Sequence, residues 1–195
     1  MTKRHPDSPY RIGLANLSAT PGATRDLDVC LPLPSQWTNG AVSVAASEAA
    51  CHLQLQALSD GVLVRLQTIV PTTAECSRCL DAVNTEIPID ETQMFFYPGT
   101  REKARQDGDE AWEDISEIGE VDDVDVEPLL RDALVLSMET LPLCKPDCQG
   151  LCPVCGQRRE TLEPEHHHEV IDPRWAALGG LAQQLRQQDG QDNRE

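Results

Sequence analysis

The sequence predicts an α+β protein: a mostly antiparallel sheet, one long amphipathic helix, a cysteine-rich C-terminal segment and a short C-terminal helix. Three observations carry that expectation. Residues from about 25 to 97 alternate polar and apolar or run β-branched, residues 126–139 place apolar side chains at helical spacing, and six of the eight cysteines gather in two short clusters. A period of two marks a half-buried strand and a period near 3.6 marks a helix face.

Residues 1–24 carry Pro6, Pro9, Pro21 and Gly22 without a steady period, so they read as an irregular arm. The segment 25–143 reads as the β-rich core domain. Within it, Val42 to Ala45, Leu53 to Gln56 and Val62 to Gln67 have strand texture. Ser59-Asp60-Gly61 separates the last two and signals a hairpin, because Asp-Gly accepts the positive φ of a tight turn. Two more strands are expected near Thr85 to Ile89 and Gln93 to Tyr97. A solvated acidic loop follows, from about 99 to 124. Eleven carboxylates and no Lys or Arg stand between Asp107 and Glu127, a density that repels itself and discourages packing. Trp112, Ile115 and Ile118 interrupt it as candidate anchors.

The helix is placed at about 126–139, where Val126, Leu129, Leu130, Ala133 and Leu134 and, on the following turn, Leu136, Ser137 and Met138 recur at helical spacing. Asp125 serves as N-cap, and Pro128 is tolerated because it lies in the first turn. Residues 144–170 form the cysteine and histidine segment. Residues 171–195 supply a short helix opened by Asp172-Pro173, weakened at Gly179-Gly180, then a frayed tail.

The formal net charge is −17, from 33 acidic and 16 basic residues in 195. That charge disfavours broad adhesion to a phosphate backbone and suits a basic protein partner. Seven aromatic residues leave little for a base-stacking platform. The start shows no apolar signal-peptide core, and no window reaches the roughly 20 apolar residues of a membrane span. A cytoplasmic protein with reduced thiols is expected, with neither a membrane nor a small-molecule substrate as partner.

The chemistry lies in Cys76-Ser-Arg-Cys79 and in Cys144-Lys-Pro-Asp-Cys148-Gln-Gly-Leu-Cys152-Pro-Val-Cys155-Gly. Two residues between thiolates let one tight turn aim both sulfurs at one ion, and Gly156 lets the chain turn away afterwards. Adding His166 and His168 gives eight donors, enough for two tetrahedral zinc ions and a zinc-stapled C-terminal segment. The preferred pairing joins Cys76 and Cys79 to Cys144 and Cys148, and joins Cys152 and Cys155 to His166 and His168. A site made of Cys144, Cys148, Cys152 and Cys155 remains open, as does a ribbon of Cys76, Cys79, Cys152 and Cys155.

Cys30 and Cys51 stand alone in strand-like text and read as small buried hydrophobes. A dithiol redox site at Cys76 and Cys79 would want a helix after its first cysteine, and turn followed by strand is read there instead. Thiolate-rich knuckles are closed sites, and neither a phosphate loop nor a nucleophile elbow is present. No enzyme is expected. Arg78, Lys145, Arg158 and Arg159 flank the cysteines and are the candidate RNA contacts.

The ordered series of Cys76-Ser-Arg-Cys79-Leu-Asp81, the acidic stretch, Asp125 to Leu143, the Cys144 to Gly156 run and Asp172-Pro-Arg-Trp-Ala-Ala-Leu178 resembles the bacterial YceD family. That family is described as the large ribosomal RNA subunit accumulation protein. The resemblance implies a role in ribosome biogenesis, supporting synthesis, processing or stability of large-subunit ribosomal RNA, with ribosomal or assembly proteins as partners. It implies no mechanism. Beyond Gly156 the chain departs from the family's commoner cysteine-ending pattern and offers the histidines instead. The rival readings are a zinc-containing nucleic-acid-binding regulator and a thiol oxidoreductase.

Overall fold

The structure, a computed structural model, describes residues 8–15, 17, 20–108, 110–168 and the single positions 174, 178 and 180. It separates into two compact units, Met1–Cys148 and Gln149–Glu195. Among the described residues of the first unit, strand is the most frequent regular structure. Its elements run β1 (Arg11–Gly13), β2 (Thr24–Pro32), β3 (Val42–Val44), β4 (Glu48–Ala57), β5 (Gly61–Glu75), β6 (Ala82–Phe96), α1 (Thr100–Gln106), β7 (Ser116–Glu117), β8 (Asp123–Asp125) and α2 (Glu127–Ser137).

The main sheet has the order β2-β4-β5-β6-β7, with β3 added to the far end of β5. The ladders among β2, β3, β4, β5 and β6 are antiparallel, whereas β7 lies parallel to β6. A parallel return needs a long crossover, and residues 97–115 supply it through α1 and a 3-10 turn at Trp112–Asp114. The expected architecture is therefore corrected on two counts. The sheet is mixed, and in place of one long helix the described residues hold two short ones of 7 and 11 residues. The expected short helix from Asp172 and the tail after it lie outside the described residues.

Helix α2 stops early for a local reason. Met138 takes up φ −70 and ψ 130, and Asn39 donates from its amide to the carbonyls of Met138 and Glu139, at 3.2 and 3.1 Å. The helical pattern in the sequence runs on, but the chain is drawn out toward Cys144. At its start, Val126 is the capping position, and Asp125 acts from one residue earlier by accepting the Glu127 N–H at 3.1 Å.

Two of the strands are longer than local texture suggests. β5 and β6 are each 15 residues and pair without a bulge from Gly61↔Phe96 to Glu75↔Ala82, so the two short strands expected after Cys79 are one. The Asp60-Gly61 turn closes with Leu58 N–H on the Gly61 carbonyl at 2.8 Å. A Cβ at Gly61 would sit 2.0 Å from the Phe95 carbonyl oxygen, so only glycine lets β6 approach there.

The core lies between one face of the sheet and α2. Leu53, Leu55, Val62, Val64, Leu66 and Val70 alternate inward and meet Val126, Leu130 and Leu134, all 1 % exposed or less. Each fully buried side chain of this size contributes about 2 kcal/mol from removal of apolar surface from water. Cys51 belongs to this core, and burial pushes its thiol up. Cys30 does not: it is exposed, because β2 is an edge strand and Cys30 follows Asp26 and Asp28 on the outer face.

The acidic stretch is also more structured than its charge suggests. Ile118 and Val124 are buried, β8 pairs with β1, and the Arg11 guanidinium clasps Asp123 through contacts of 2.5 and 2.7 Å. Arg101 donates its backbone N–H to Glu117 at 2.8 Å and its guanidinium to the Ile115 carbonyl, fastening α1 to β7. The arm that read as irregular thus contributes β1 to the fold. No helix among the described residues is long and apolar enough to cross a membrane.

Tyr10 gives a pH signature to this corner. Its hydroxyl donates to the Pro32 carbonyl at 2.9 Å, and burial, with the charges of Glu127 and Asp125, pushes the phenol up to about 12. An acid whose pKa is raised on folding stabilises the fold below its ordinary pKa of about 10 and loses that contribution as pH climbs through the folded value. Tyr10→Phe is expected to cost about 1 kcal/mol at neutral pH and to flatten the loss of stability between about pH 10 and 12. Urea melts across that range provide the check.

Candidate metal centres

The first centre is set up by the junction between β5 and β6. After Glu75 the chain makes a knuckle in which Leu80 N–H bonds to the Cys76 carbonyl at 2.9 Å and Cys76 N–H bonds to the Asp81 carbonyl at 2.8 Å. Leu80 adopts φ 63 to close it. The second arm follows α2: Ser77 N–H donates to the Pro142 carbonyl at 2.8 Å, which brings Cys144 and Cys148 against the knuckle. Their own turn is closed by Cys148 N–H on the Lys145 carbonyl at 3.1 Å.

The sulfurs of Cys76 and Cys148 lie 3.8 Å apart and those of Cys79 and Cys144 3.5 Å, with all four within 4.8 Å of one another. Four thiolates at ~2.3 Å from a common zinc ion in tetrahedral array stand ~3.8 Å apart. The donor set therefore fits zinc in both kind and spacing. Cys76, Cys79 and Cys148 are buried, while Cys144 is exposed.

Thiol acidity is split within this quartet. Backbone N–H groups from Cys144, Arg78 and Cys79 donate to the Cys76 sulfur and hold it down to about 6 against the opposing effect of burial. At Cys79 the Asp81 backbone pulls the same way, but burial and hydrogen bonding with the other three thiols outweigh it and push the group up to about 12. Four sulfurs this close cannot all ionise by themselves. A divalent cation removes the conflict, and the N–H donors are the outer support that thiolate ligands use.

The second centre lies wholly within the unit Gln149–Glu195. Gly156 N–H bonds to the Cys152 carbonyl and Cys152 N–H to the Gln157 carbonyl, each at 2.8 Å, forming a second knuckle stapled by a bridge between Leu151 and Arg158. Gly156 sits at φ 70, where a side chain would strain the backbone. A 3-10 turn at Arg159–Thr161 then leads the chain back to the histidines. His166 Nε2 lies 3.6 Å from the Cys155 sulfur, and the rings of His166 and His168 meet edge-on at 4.5 Å. One donor atom from each of Cys152, Cys155, His166 and His168 falls within 4.8 Å of the others. His167 turns away to the Glu165 carbonyl at 2.9 Å. Backbone N–H groups of Cys155 and Val154 hold the Cys152 thiol down to about 6. Cys152 is buried, whereas the other three donors are exposed.

All eight anticipated donors thus fall into two quartets, and the grouping is the preferred one from the spacing. Cys30 and Cys51 join neither. Of the candidate RNA contacts, Arg78 donates to the Cys148 carbonyl at 2.8 Å and so braces the first centre. Lys145, Arg158 and Arg159 are exposed beside their cysteines. The supporting residues Ser77, Leu80 and Pro142 were not singled out by sequence reasoning. Their part is played by backbone groups, which leave no residue-type signal.

Comparison with known proteins gives the family. The profile of the family described as "Large ribosomal RNA subunit accumulation protein YceD" matches residues 64–182, a span containing both quartets. The chain belongs to the YceD family. An uncharacterized protein of Mycobacterium tuberculosis is 37 % identical over 179 residues, covering 90 % of this chain and 83 % of its own length. An uncharacterized Mycobacterium leprae protein is 32 % identical over 180 residues, 91 % of this chain and 79 % of its own. A chloroplastic YCED homolog of Arabidopsis thaliana is 27 % identical over 150 residues, 65 % of this chain and 47 % of its own. No solved structure matches. Strands β1 to β4 of this YceD-family chain lie before the matched span.

Proposed function

We infer that this YceD-family protein works without catalysis in the cytoplasm, supporting synthesis, processing or stability of large-subunit ribosomal RNA, and that both quartets hold structural zinc. The observation that carries the zinc reading is the coordinative completeness of each quartet. Four protein donors lie within 4.8 Å of one another in each, and backbone N–H groups support the Cys76 and Cys152 sulfurs. A catalytic zinc keeps one position for water or substrate, and a full set of four protein ligands leaves none.

The family description supports the link to ribosomal RNA. The charge of −17 supports a basic ribosomal or assembly protein as the direct partner, with Lys145 in the first unit and Arg158 and Arg159 in the second as separate basic residues for any RNA contact. Arg78 is withdrawn from the candidate RNA contacts, since it already has a structural task.

Complementation provides the test. In cells lacking the gene, the ratio of large- to small-subunit ribosomal RNA is expected to fall and to be restored by the wild-type chain. Failure of the wild type to change the ratio would remove the ribosomal reading. Zinc is tested separately by native mass spectrometry, where two ions per chain are expected.

A further inference from the structure

The longest strand pair in the protein ends in an unguarded edge. β6 pairs with β5 along its whole length, but on its other side β7 meets only Phe95 and Phe96. Among the described residues no strand pairs with the outer edge of 82–94. The register shows which groups that edge presents. Pro71 stands opposite Glu86 and Pro88 opposite Ile69, and a proline has no N–H to exchange. These are therefore the pairs without mutual hydrogen bonds, and in an unbroken antiparallel ladder their backbone groups point away from the partner strand. On the same phase, Asn84, Glu86, Asp90 and Thr92 direct both N–H and carbonyl outward, and Pro88 its carbonyl. Phe96, also in phase, already uses its outward carbonyl to accept Ile118 N–H from the chain beside it at 2.8 Å.

Beside this edge runs a groove of about 360 Å³. Val83, Thr85 and Ile87 of β6 form one wall, and Ser137 at the end of α2 with Glu139 and Pro142 beyond it form the other. The second wall is fixed in place by the Asn39 amide on Met138 and Glu139 and by Ser77 on Pro142. Leu136 and Leu141, next in sequence to two of these wall residues, are 85 % and 72 % exposed. No Lys or Arg occurs between Arg78 and Arg101 or between Arg131 and Lys145, so the side-chain charges native to both walls are negative. Arg65 neutralises Asp90 through two contacts of 2.6 Å. Glu86, Glu91 and Glu139 are exposed.

We propose that β6 binds a basic, extended segment of a partner protein by strand addition along residues 84–92. Main-chain hydrogen bonds to the outward groups supply affinity, and alternation supplies specificity. Side chains of one parity are apolar and enter the groove over Val83 and Ile87. Those of the other parity are Lys or Arg and meet Glu86, while Glu91 and Glu139 attract the segment as a whole. Pro88 leaves one donor position blank, which discourages a second copy of this acidic chain from stacking edge to edge. The inference draws on the functional reading only for the expectation of a basic partner.

The probe is a fluorescein-labelled, end-capped heptapeptide of alternating valine and lysine, titrated into the full-length zinc-loaded protein. Saturable binding is expected. N-methylation of alternate peptide nitrogens should weaken it at least about tenfold in one frame and little in the other, because only one frame faces β6. Glu86→Lys, with unchanged zinc content and melting temperature, should weaken it by a similar factor. Equal effects in both methylation frames, equal binding of a scrambled peptide of the same composition, or no saturation up to about 1 mM would overturn the proposal. So would a concentration-dependent dimer that the peptide dissociates, since the edge would then belong to a second copy. A wild type that shows the frame dependence yet fails to restore ribosomal RNA sinks the functional reading and leaves the edge. The reverse pattern sinks the edge alone.

Discussion

Cys76→Ser is expected to remove one of two zinc ions and to destabilise the first unit by several kcal/mol, whereas Cys155→Ser removes the other ion and leaves the melting of the first unit nearly unchanged. The asymmetry follows from where the ligands lie. Cys76 is fully buried at the junction of the two longest strands, and its centre ties that junction to the chain beyond α2. Structural zinc carries apparent binding free energies of about 10 to 16 kcal/mol in small domains, as large as the whole folding free energy of an ordinary domain. The first unit also has its own apolar core, so it should survive loss of the ion with reduced stability. Among the described residues of the unit Gln149–Glu195 only Cys152 belongs to the buried hydrophobic set, so loss of an ion there is expected to act on that unit and not on the first. Native mass spectrometry paired with calorimetry reads both effects. An unchanged melt after exhaustive chelation, in protein that carried no ion beforehand, would remove the zinc assignment.

Arg11→Ala is expected to cost about 3 to 5 kcal/mol, one of the largest effects of any substitution outside the metal centres. Its guanidinium is the partner of Asp123, which is 6 % exposed, and removing it leaves a carboxylate buried among Gly119, Val124 and the β1 backbone. The double variant Arg11→Met with Asp123→Leu should recover most of that loss, because a buried ion pair is worth little against well-packed apolar groups. Chemical denaturation of the two variants against wild type is the measurement. Equal stability of Arg11→Ala and wild type would show that Asp123 is not held by this pair.

The two predictions also mark how far the residues spoke for themselves. The quartets were legible because a Cys-x-x-Cys turn followed by glycine states its geometry locally. The expected choice of His166 and His168 agrees with the geometry, in which their two rings meet and His167 turns to the Glu165 carbonyl. The Asp60-Gly61 hairpin and the apolar face of α2 were legible for the same reason. The acidic stretch was not. Its carboxylates argued for solvation, and the partners that hold it come from a distance: Arg11, 112 residues away from Asp123, and Arg101, which binds Glu117 and the Ile115 carbonyl. The parallel strand β7 is two residues long and has no pattern of its own. Helix length was misjudged because periodicity continues past Ser137, where Asn39 takes up the freed carbonyls.

By itself the sequence determined the two Cys and Cys/His clusters, the charge, the strand-rich first half and the family resemblance, since each depends on residue type and near-neighbour spacing. Only the tertiary structure decided the mixed sheet, the short helices, the folding of the acidic stretch around Arg11, the bracing task of Arg78 and the bare edge of β6. Those features rest on backbone groups and charges that meet across long separations. A chain pays for such meetings once, on folding, and no local window of residues records them.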